Sequence, residues 1–218
     1  MHKFTSFAEA IKNNNMLAVK EMLDENPTLI HSVTPEGISM VMLAAYYRYS
    51  KLLEILVVRK RHLDIFEASA TGVLREVERN VTKNKINLIE YSPDGYTALH
   101  FAAWFGHYEV AKYLVTKGSD INAVSKNHSK VMPLHSAVAA GYGDVASLLA
   151  ERGANVNTRQ GDGNTPLHIA AANGHARIVQ MLLEKGADPS IRNNENKTPS
   201  DLARDKKMEE VSRLLEGK

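Results

Sequence analysis

Histidine is the residue type in this chain that could most readily support metal binding or acid–base catalysis. The 218 residues include nine histidines and no cysteine. Three of these histidines, His100, His135 and His168, follow a leucine in similar local sequences and recur at nearly equal intervals along the chain. Imidazole nitrogens bind zinc and titrate near neutral pH, so three of them could form a metal or catalytic site if they met in space. Whether they meet depends on the elements that carry them.

Other residues that could take part in catalysis lack the local sequence that their chemistry requires. The segment GDGNT at 161–165 has no Lys-Ser/Thr of a phosphate-binding loop. Ser136 lies outside any G-x-S-x-G elbow, and the adjacent acids Glu209 and Glu210 are expected on a solvated helix face. A chain without cysteine has no thiolate nucleophile and no thiolate metal ligand. We therefore predict that the protein is not an enzyme and has no catalytic residue, metal or cofactor.

The stretch 162–192 indicates which elements carry these residues. Thr165 and Pro166 suit a helix start, because threonine caps free backbone N–H groups and proline needs no N–H at that position. Gly174 predicts a turn, and the apolar residues at helical spacing after it predict a second, amphipathic helix that Gly186 ends. A helix pair with one apolar stripe on each helix cannot bury that stripe alone. It needs neighbours of the same kind.

Such neighbours are present as copies of this stretch. The copies in register with it are TALHFAAWFGHYEVAKYLVTKGSDIN (97–122) and PLHSAVAAGYGDVASLLAERGANVN (133–157). Three copies of a T-P-L-H-x-A core, about 33 residues apart, resemble the ankyrin-repeat family. The resemblance implies an all-α, ankyrin-repeat solenoid of about seven helix pairs in one domain, with the terminal pairs acting as caps. The implied repeats are 4–32, 36–64, 65–91, 94–124, 127–159, 162–192 and 194–216.

The resemblance also implies a role for the histidines. Stacked helices lie about 8–10 Å apart, whereas zinc requires nitrogens about 2.0–2.1 Å from one ion. Equivalent positions in successive repeats therefore cannot chelate one ion together. In the family the motif histidine hydrogen-bonds backbone between repeats, and the resemblance implies this role for all three histidines. We assign a structural role to the motif residues Thr97, His100, His135, Thr165 and His168.

The third repeat, 65–91, departs most from the pattern. Its start at Ile65 matches the chain around Phe7, and Gly95 likewise matches Gly37, so the first two units recur as the third and fourth. This alignment predicts helices near 65–71 and 74–82, followed by a long loop, with no hairpin before the first helix. Asn80 then occupies a position that is usually apolar.

Composition and charge narrow the choice of partner and location. The formal net charge is +2, from 27 basic and 25 acidic residues, which is too balanced to indicate nucleic-acid binding. The short basic run Arg59-Lys60-Arg61-His62 is better read as cations at a helix C-terminus. The N-terminus lacks a signal peptide's apolar run, and no stretch approaches the roughly 20 apolar residues of a membrane span. We expect a cytoplasmic monomer whose partner is another protein, without membrane or nucleic-acid contact.

Without catalysis, we expect the protein to function by binding a partner on the surface that the stacked repeats form. The resemblance implies that a partner docks on the concave face and loop tips, at repeat positions that packing leaves free. Acidic tips favour a partner that presents Arg or Lys around an apolar anchor. The predicted partner-binding residues are Tyr46, Tyr47, Asp94, Tyr96, Trp104, Phe105, Asp162 and Asn164.

Two alternatives remain open at this point. The aromatic rings could face a partner, where such residues dominate binding energy, or they could pack over the shortened third repeat. In addition, the irregular segment 58–95 could form the pocket of a small-ligand-binding protein or an enzyme. A ligand-sized cavity with convergent polar groups in that segment would favour this second function.

Overall fold

The computed structural model describes residues 2–217, and describes side chains from residue 7 onwards. This part of the chain contains fourteen α-helices and no strand, with one isolated antiparallel bridge between Val33 and Ser39. The all-α fold class predicted from the sequence is therefore confirmed. The helices are α1 His2–Lys12, α2 Met16–Glu25, α3 Met40–Tyr46, α4 Ser50–Lys60, α5 Ile65–Thr71, α6 Leu74–Lys83, α7 Ala98–Phe105, α8 Tyr108–Lys117, α9 Pro133–Ala140, α10 Gly143–Glu151, α11 Pro166–Ala172, α12 Ala176–Glu184, α13 Pro199–Asp205 and α14 Glu209–Leu215.

Local sequence explains where these helices begin and end. The Thr165 hydroxyl accepts a hydrogen bond from the backbone N–H of His168 at 3.4 Å, and Pro166 is the first residue of α11, where its missing N–H costs nothing. Beyond the end of α12, Gly186 has a φ of +86°, in the left-handed region that glycine enters without a steric penalty. The same kind of cap begins α13, where the Thr198 hydroxyl accepts from the N–H of Asp201 at 3.2 Å.

The helices stack in two layers. Each odd-numbered helix packs against the even-numbered helix that follows it, and the odd-numbered helices also contact one another along the array. From α6 onwards the even-numbered helices form a second layer in the same way. The main buried apolar cluster runs without interruption from Phe7 to Val211. Among the described residues, no helix is long and apolar enough to cross a bilayer.

The third unit has its helices at 65–71 and 74–83, the second ending one residue later than the sequence predicts. The segment expected to be a long loop also contains a short 3-10 helix, Lys85–Leu88. A 3-10 helix at Pro27–His31 occupies the corresponding place in the first unit, so the two segments that match in sequence also match in conformation. Only four residues separate α4 from α5, so this unit has no loop of its own in front of its first helix.

Asn80 has a structural reason to be polar at a usually apolar position. Its side-chain amide donates to the carbonyl oxygens of Leu63, at 2.9 Å, and Glu76, at 2.7 Å. Leu63 belongs to the short connection between α4 and α5. The amide thus supplies the shorter of the two hydrogen bonds that the Leu63 carbonyl accepts, the other coming from the Arg79 guanidinium at 3.5 Å.

Candidate functional site

The three motif histidines each hydrogen-bond through both ring nitrogens. His100 Nδ1 accepts from the backbone N–H of Thr97 at 3.2 Å, which leaves Nε2 protonated to donate to the Val131 carbonyl at 3.0 Å. The equivalent Nε2 donor bonds of the other two histidines, to the carbonyls of Thr158 and Lys197, are also 3.0 Å long. Each histidine therefore connects its own helix start to the loop of the next unit.

Burial holds these imidazoles in the neutral form. His100 and His135 are each 1% exposed, and burial lowers the pKa of both rings to about 4. Burial also lowers the pKa of His168. Among the described residues, no three histidine or acidic side chains are grouped so that they could hold a metal ion.

A groove of about 400 Å³ opens beside these histidines on the first-helix face of the array. Its floor comes from α7, α9 and α11, and its rim from the loops that precede α9 and α11. Phe101, Ser136 and Ile169 each follow a motif histidine directly, so one repeat position supplies the floor three times. The apolar lining of the groove includes Trp104, Val131, Ala139 and Ile169, and its polar lining includes Ser129, Ser136, Gln160 and Asp162.

Trp104 is the most exposed aromatic ring of the groove. It lies near the end of α7 and is 39% exposed. The loop before α9 contributes Ser129 and Val131, and backbone bonds to both neighbouring loops fix its position. Lys126 N–H donates to the Gly95 carbonyl at 2.9 Å, and Gly161 N–H donates to the Ser129 carbonyl at 2.8 Å. The groove is consequently formed before any partner arrives.

The aromatic residues divide between the two alternatives left open by the sequence. Tyr46 packs against Phe101 and Phe105, with ring centroids 6.4 and 6.2 Å apart, and Tyr96 lies 5.8 Å from Phe101. The rings of Tyr46, Tyr96 and Phe105 thus pack within the array, around the small Ala70 of the third unit. Trp104 remains open to solvent.

The ring of Tyr47, like that of Trp104, is open to solvent. It is 45% exposed and stacks on Tyr49 with ring centroids 5.5 Å apart. It lies outside the lining of the groove. One aromatic of the predicted set is therefore accessible within the groove and one outside it.

The predicted polar tips also differ from one another. Asp94 is bonded within the protein: Tyr46 Oη donates to its Oδ2, and Ser92 Oγ donates to its Oδ1 at 2.5 Å. Burial and this carboxylate raise the pKa of the Tyr46 hydroxyl. Asn164 is half-buried and its Oδ1 accepts from Asn193 Nδ2 at 2.8 Å. Asp162 is exposed, and its carboxylate has no hydrogen bond or ion pair within residues 2–217.

A second, smaller cavity lies at the third unit. It has a volume of about 240 Å³ and is formed by the loops before α3 and α7 together with the start of α5. We call it the notch, defined by Ser39, Lys60, Asp64, Phe66, Asp94 and Phe101. Six of its fourteen lining residues lie within the irregular segment 58–95, and the others belong to the second and fourth units and to the chain just before the second.

Several groove residues were not predicted from the sequence. Ser136, Gln160 and Ile169 were missed, although the position after each motif histidine could have indicated two of them. A residue at that position lies on the same helix as the histidine and next to it. The histidine side chain is buried between units. The residue that follows it is therefore a candidate for the helix face that lines the groove.

Comparison with known proteins gives the class of this array. A family model described as ankyrin repeats (3 copies) matches residues 7–125 and 68–160, and one described as ankyrin repeats (many copies) matches residues 148–203. The chain belongs to the ankyrin-repeat family. Ankyrin repeats are in general protein–protein interaction modules.

Two curated proteins illustrate the similarity. The chain is 36% identical over 118 residues to "Ankyrin repeat and SAM domain-containing protein 6" of Rattus norvegicus, and 38% identical over 118 residues to the protein of that name in Mus musculus. In both cases the match covers 54% of this chain and 11% of the relative. The chain thus spans only about a tenth of the length of these relatives.

Proposed function

We propose that this protein is a rigid binding module that holds a partner protein in the groove, with an apolar side chain of the partner against Trp104. The observation that carries the proposal is a tryptophan 39% exposed within a concave, mostly apolar site. Tryptophan leads the residue types on which binding energy concentrates, and such anchors work best inside a pocket that excludes water. A small-ligand function of the groove is less favoured, because the site is open along one side of the array.

Rigidity of the groove favours affinity. Leu99, Leu134 and Leu167 lie on the three floor helices and are at most 1% exposed, so the floor is part of the core. The histidine bonds fix the loops of the rim to those helices. Binding to a preformed surface orders few protein groups and so loses little conformational entropy.

The other predicted residues take different parts in this proposal. Trp104 contacts the partner in the groove and Tyr47 contacts it beside the groove. The exposed carboxylate of Asp162 and the amide of Asn164 form a polar rim, where charges select a partner and its orientation. Tyr46 and Tyr96 line the groove together with Trp104, Phe105 packs on Tyr46, and Asp94 accepts a hydrogen bond from the Tyr46 hydroxyl.

Affinity capture from the native cell with Trp104→Ala tests this proposal. We expect the variant to lose the specific partner, with an affinity reduced by about 2 kcal/mol, or roughly thirtyfold, as for a central anchor residue. Val58→Ala is the control, since Val58 is an apolar residue 73% exposed on α4 and away from the groove. Phe105 is left intact because its ring packs on Tyr46. Removing it would disturb the position of a residue that lines the groove.

The outcome decides between classes of function. The two variants must have equal thermal stability. If Trp104→Ala and Val58→Ala then capture the same proteins, the groove is not the binding site. Recovery of nucleic acid instead of protein would replace the proposal, although the formal net charge of +2 favours a protein partner.

A further inference from the structure

The notch exists because one loop is missing from a row of loops. Elsewhere each loop before a first helix bonds to the next: Lys126 N–H donates to Gly95 O at 2.9 Å, Gly161 N–H to Ser129 O at 2.8 Å, and Asn194 N–H to Asp162 O at 3.1 Å. The third unit contributes no loop, because only four residues lie between α4 and α5. Within the described residues no backbone hydrogen bond joins the loops before α3 and α7, and both loops line a cavity of about 240 Å³.

The two loops come close to each other at Gly37 and Pro93, which both line this cavity. A Cβ atom added to Gly37 would lie 3.2 Å from Pro93 Cβ, which is tighter than an ordinary van der Waals contact. Gly37 also has a φ of +82°. A larger residue at position 37 would therefore crowd Pro93 at the edge of the notch.

Aromatic and apolar side chains form much of the notch wall. Phe66 and Phe101 meet edge to face with ring centroids 6.0 Å apart, and Met42 lies beside them. Aromatic faces attract cations, and a planar guanidinium also stacks on them through dispersion. An uncharged apolar ligand could pack against these rings equally well. The kind of ligand that the notch binds therefore depends on its charged groups.

The charged groups of the lining are the carboxylates of Asp64 and Asp94 and the ammonium of Lys60, and the imidazole of His31 also lines the cavity. Asp64 Oδ1 accepts from the backbone N–H groups of Phe66 and Glu67, both at 2.9 Å, whereas its Oδ2 has no hydrogen bond within the described part of the chain. Asp94 also lines the cavity. The ammonium of Lys60 is paired with the fully buried carboxylate of Glu67 behind the wall. Asp64, Asp94 and Lys60 give the lining a formal charge of −1, and the Glu67 carboxylate behind it adds a second negative charge.

We propose that the notch binds an arginine side chain of the partner protein. A guanidinium would stack on the aromatic wall and donate a charge-assisted hydrogen bond to the free Oδ2 of Asp64. The notch and the groove share Tyr46 and Phe101, so one partner segment can place an apolar residue at Trp104 and an arginine in the notch. The inference rests on the proposed function only in taking the arginine from a partner protein.

The electrostatic state of Asp64 is consistent with this ligand. Desolvation and the neighbouring Glu67 carboxylate raise the pKa of Asp64. A bound cation would offset the repulsion from Glu67 and stabilise the charged form of Asp64. A neutral or anionic ligand would do neither.

A titration followed by NMR tests the notch without the partner. Isotope-labelled protein is titrated with N-acetylarginine amide, and separately with N-acetylcitrulline amide, which has the same shape and no charge. We expect the arginine probe to shift backbone amides of residues 33–39, 64–67 and 92–96, and the citrulline probe to leave them unchanged. Shifts of equal size with both probes, or with N-acetyllysine amide, would overturn the assignment to a guanidinium.

Variants then assign the interaction to named carboxylates. Asp64→Asn and Asp94→Asn should each weaken binding of the arginine probe roughly fivefold. Asparagine caps helices about as well as aspartate, so α5 should remain folded. Glu90→Gln is the matched control, since it removes one exposed negative charge from the same unit outside the notch.

Failure of this inference can be told apart from failure of the proposed function. A probe that shifts none of these amides, in a protein whose partner capture still depends on Trp104, would overturn the notch and leave the groove as the binding site. Equal weakening by Glu90→Gln would also overturn it, because binding would then reflect overall charge alone.

Discussion

His100 and His135 perform an electrostatic task as well as a geometric one. Each ring is neutral, accepts at Nδ1 and donates at Nε2, so it bonds one acceptor and one donor on two different segments. A protonated ring would carry a donor at Nδ1 against a backbone N–H, and it would place a charge in the core. The same bonds that connect the units thus make the protein sensitive to acid.

We predict that stability declines as the pH falls from about 6.5 towards 4. In the unfolded chain these rings bind protons near the ordinary pKa of 6.5, whereas burial lowers the pKa of His100 and His135 to about 4 in the folded protein. Stability is therefore complete above the unfolded value and is lost as pH falls through the folded one. The loss between these two pH values amounts to roughly 3 kcal/mol for each ring. Urea unfolding across this range measures the effect.

Two histidine variants separate this effect from general acid sensitivity. His135→Gln should lower stability at neutral pH and flatten the profile between pH 6.5 and 4. His128→Gln, at an exposed loop position, should change neither. A profile with the same slope in both variants would show that other groups cause the acid sensitivity.

At the scale of elements, the third unit replaces a motif histidine with an acid. Glu67 stands one repeat before His100, at the same position of its helix. Because an ionised carboxylate accepts hydrogen bonds and cannot donate one to a carbonyl, Glu67 accepts instead from Asp64 N–H at 3.1 Å, from Ser39 Oγ and from Lys60 Nζ. An ion pair therefore connects this unit to the second one, at the position where the units of His100, His135 and His168 use an imidazole.

Removing the cation of this pair should be costly. Lys60→Met leaves the fully buried carboxylate of Glu67 without its counter-ion, and we expect a loss of about 3–5 kcal/mol in the free energy of unfolding. Arg59→Met is a control one residue away. Its partner Asp24 is exposed, so the expected loss is about 0–1 kcal/mol. Denaturant unfolding of both variants makes the comparison, and equal losses would contradict the structural role of Glu67.

On the scale of the whole molecule, the units are connected through one core. The main apolar cluster extends from Phe7 to Val211, and the histidine and loop bonds connect neighbouring units along the later part of the array. A helix pair cannot bury its stripe without both neighbours, so partial unfolding would expose apolar surface at each new end. Continuity of the core favours cooperative unfolding.

We predict a single unfolding transition for the array. Trp104 is the only tryptophan, so its fluorescence reports on α7 alone, whereas far-ultraviolet circular dichroism reports on all the helices. The midpoints from the two signals should coincide in urea. Midpoints that differ beyond experimental error would show that the third unit divides the array into two parts.

The sequence by itself determined the repeating part of this protein. The helix starts, the turns and the helical class follow from caps, glycines and apolar spacing within one unit, because these contacts join residues a few positions apart. The short α5 and the position of α6 followed from an internal comparison of the first two units with the third and fourth. Asp162 could likewise be predicted as an exposed acid.

Only the tertiary structure decided which predicted residues are accessible. Tyr46 and Asp94 are bonded to each other although they lie in different units, and Trp104 is open while the adjacent Phe105 is packed. The notch results from the absence of a loop in the third unit, and its lining comes from several units. Contacts within a unit recur wherever the sequence recurs. The exposure of a side chain depends instead on how units of unequal length pack against each other, and this packing exists only in the assembled array.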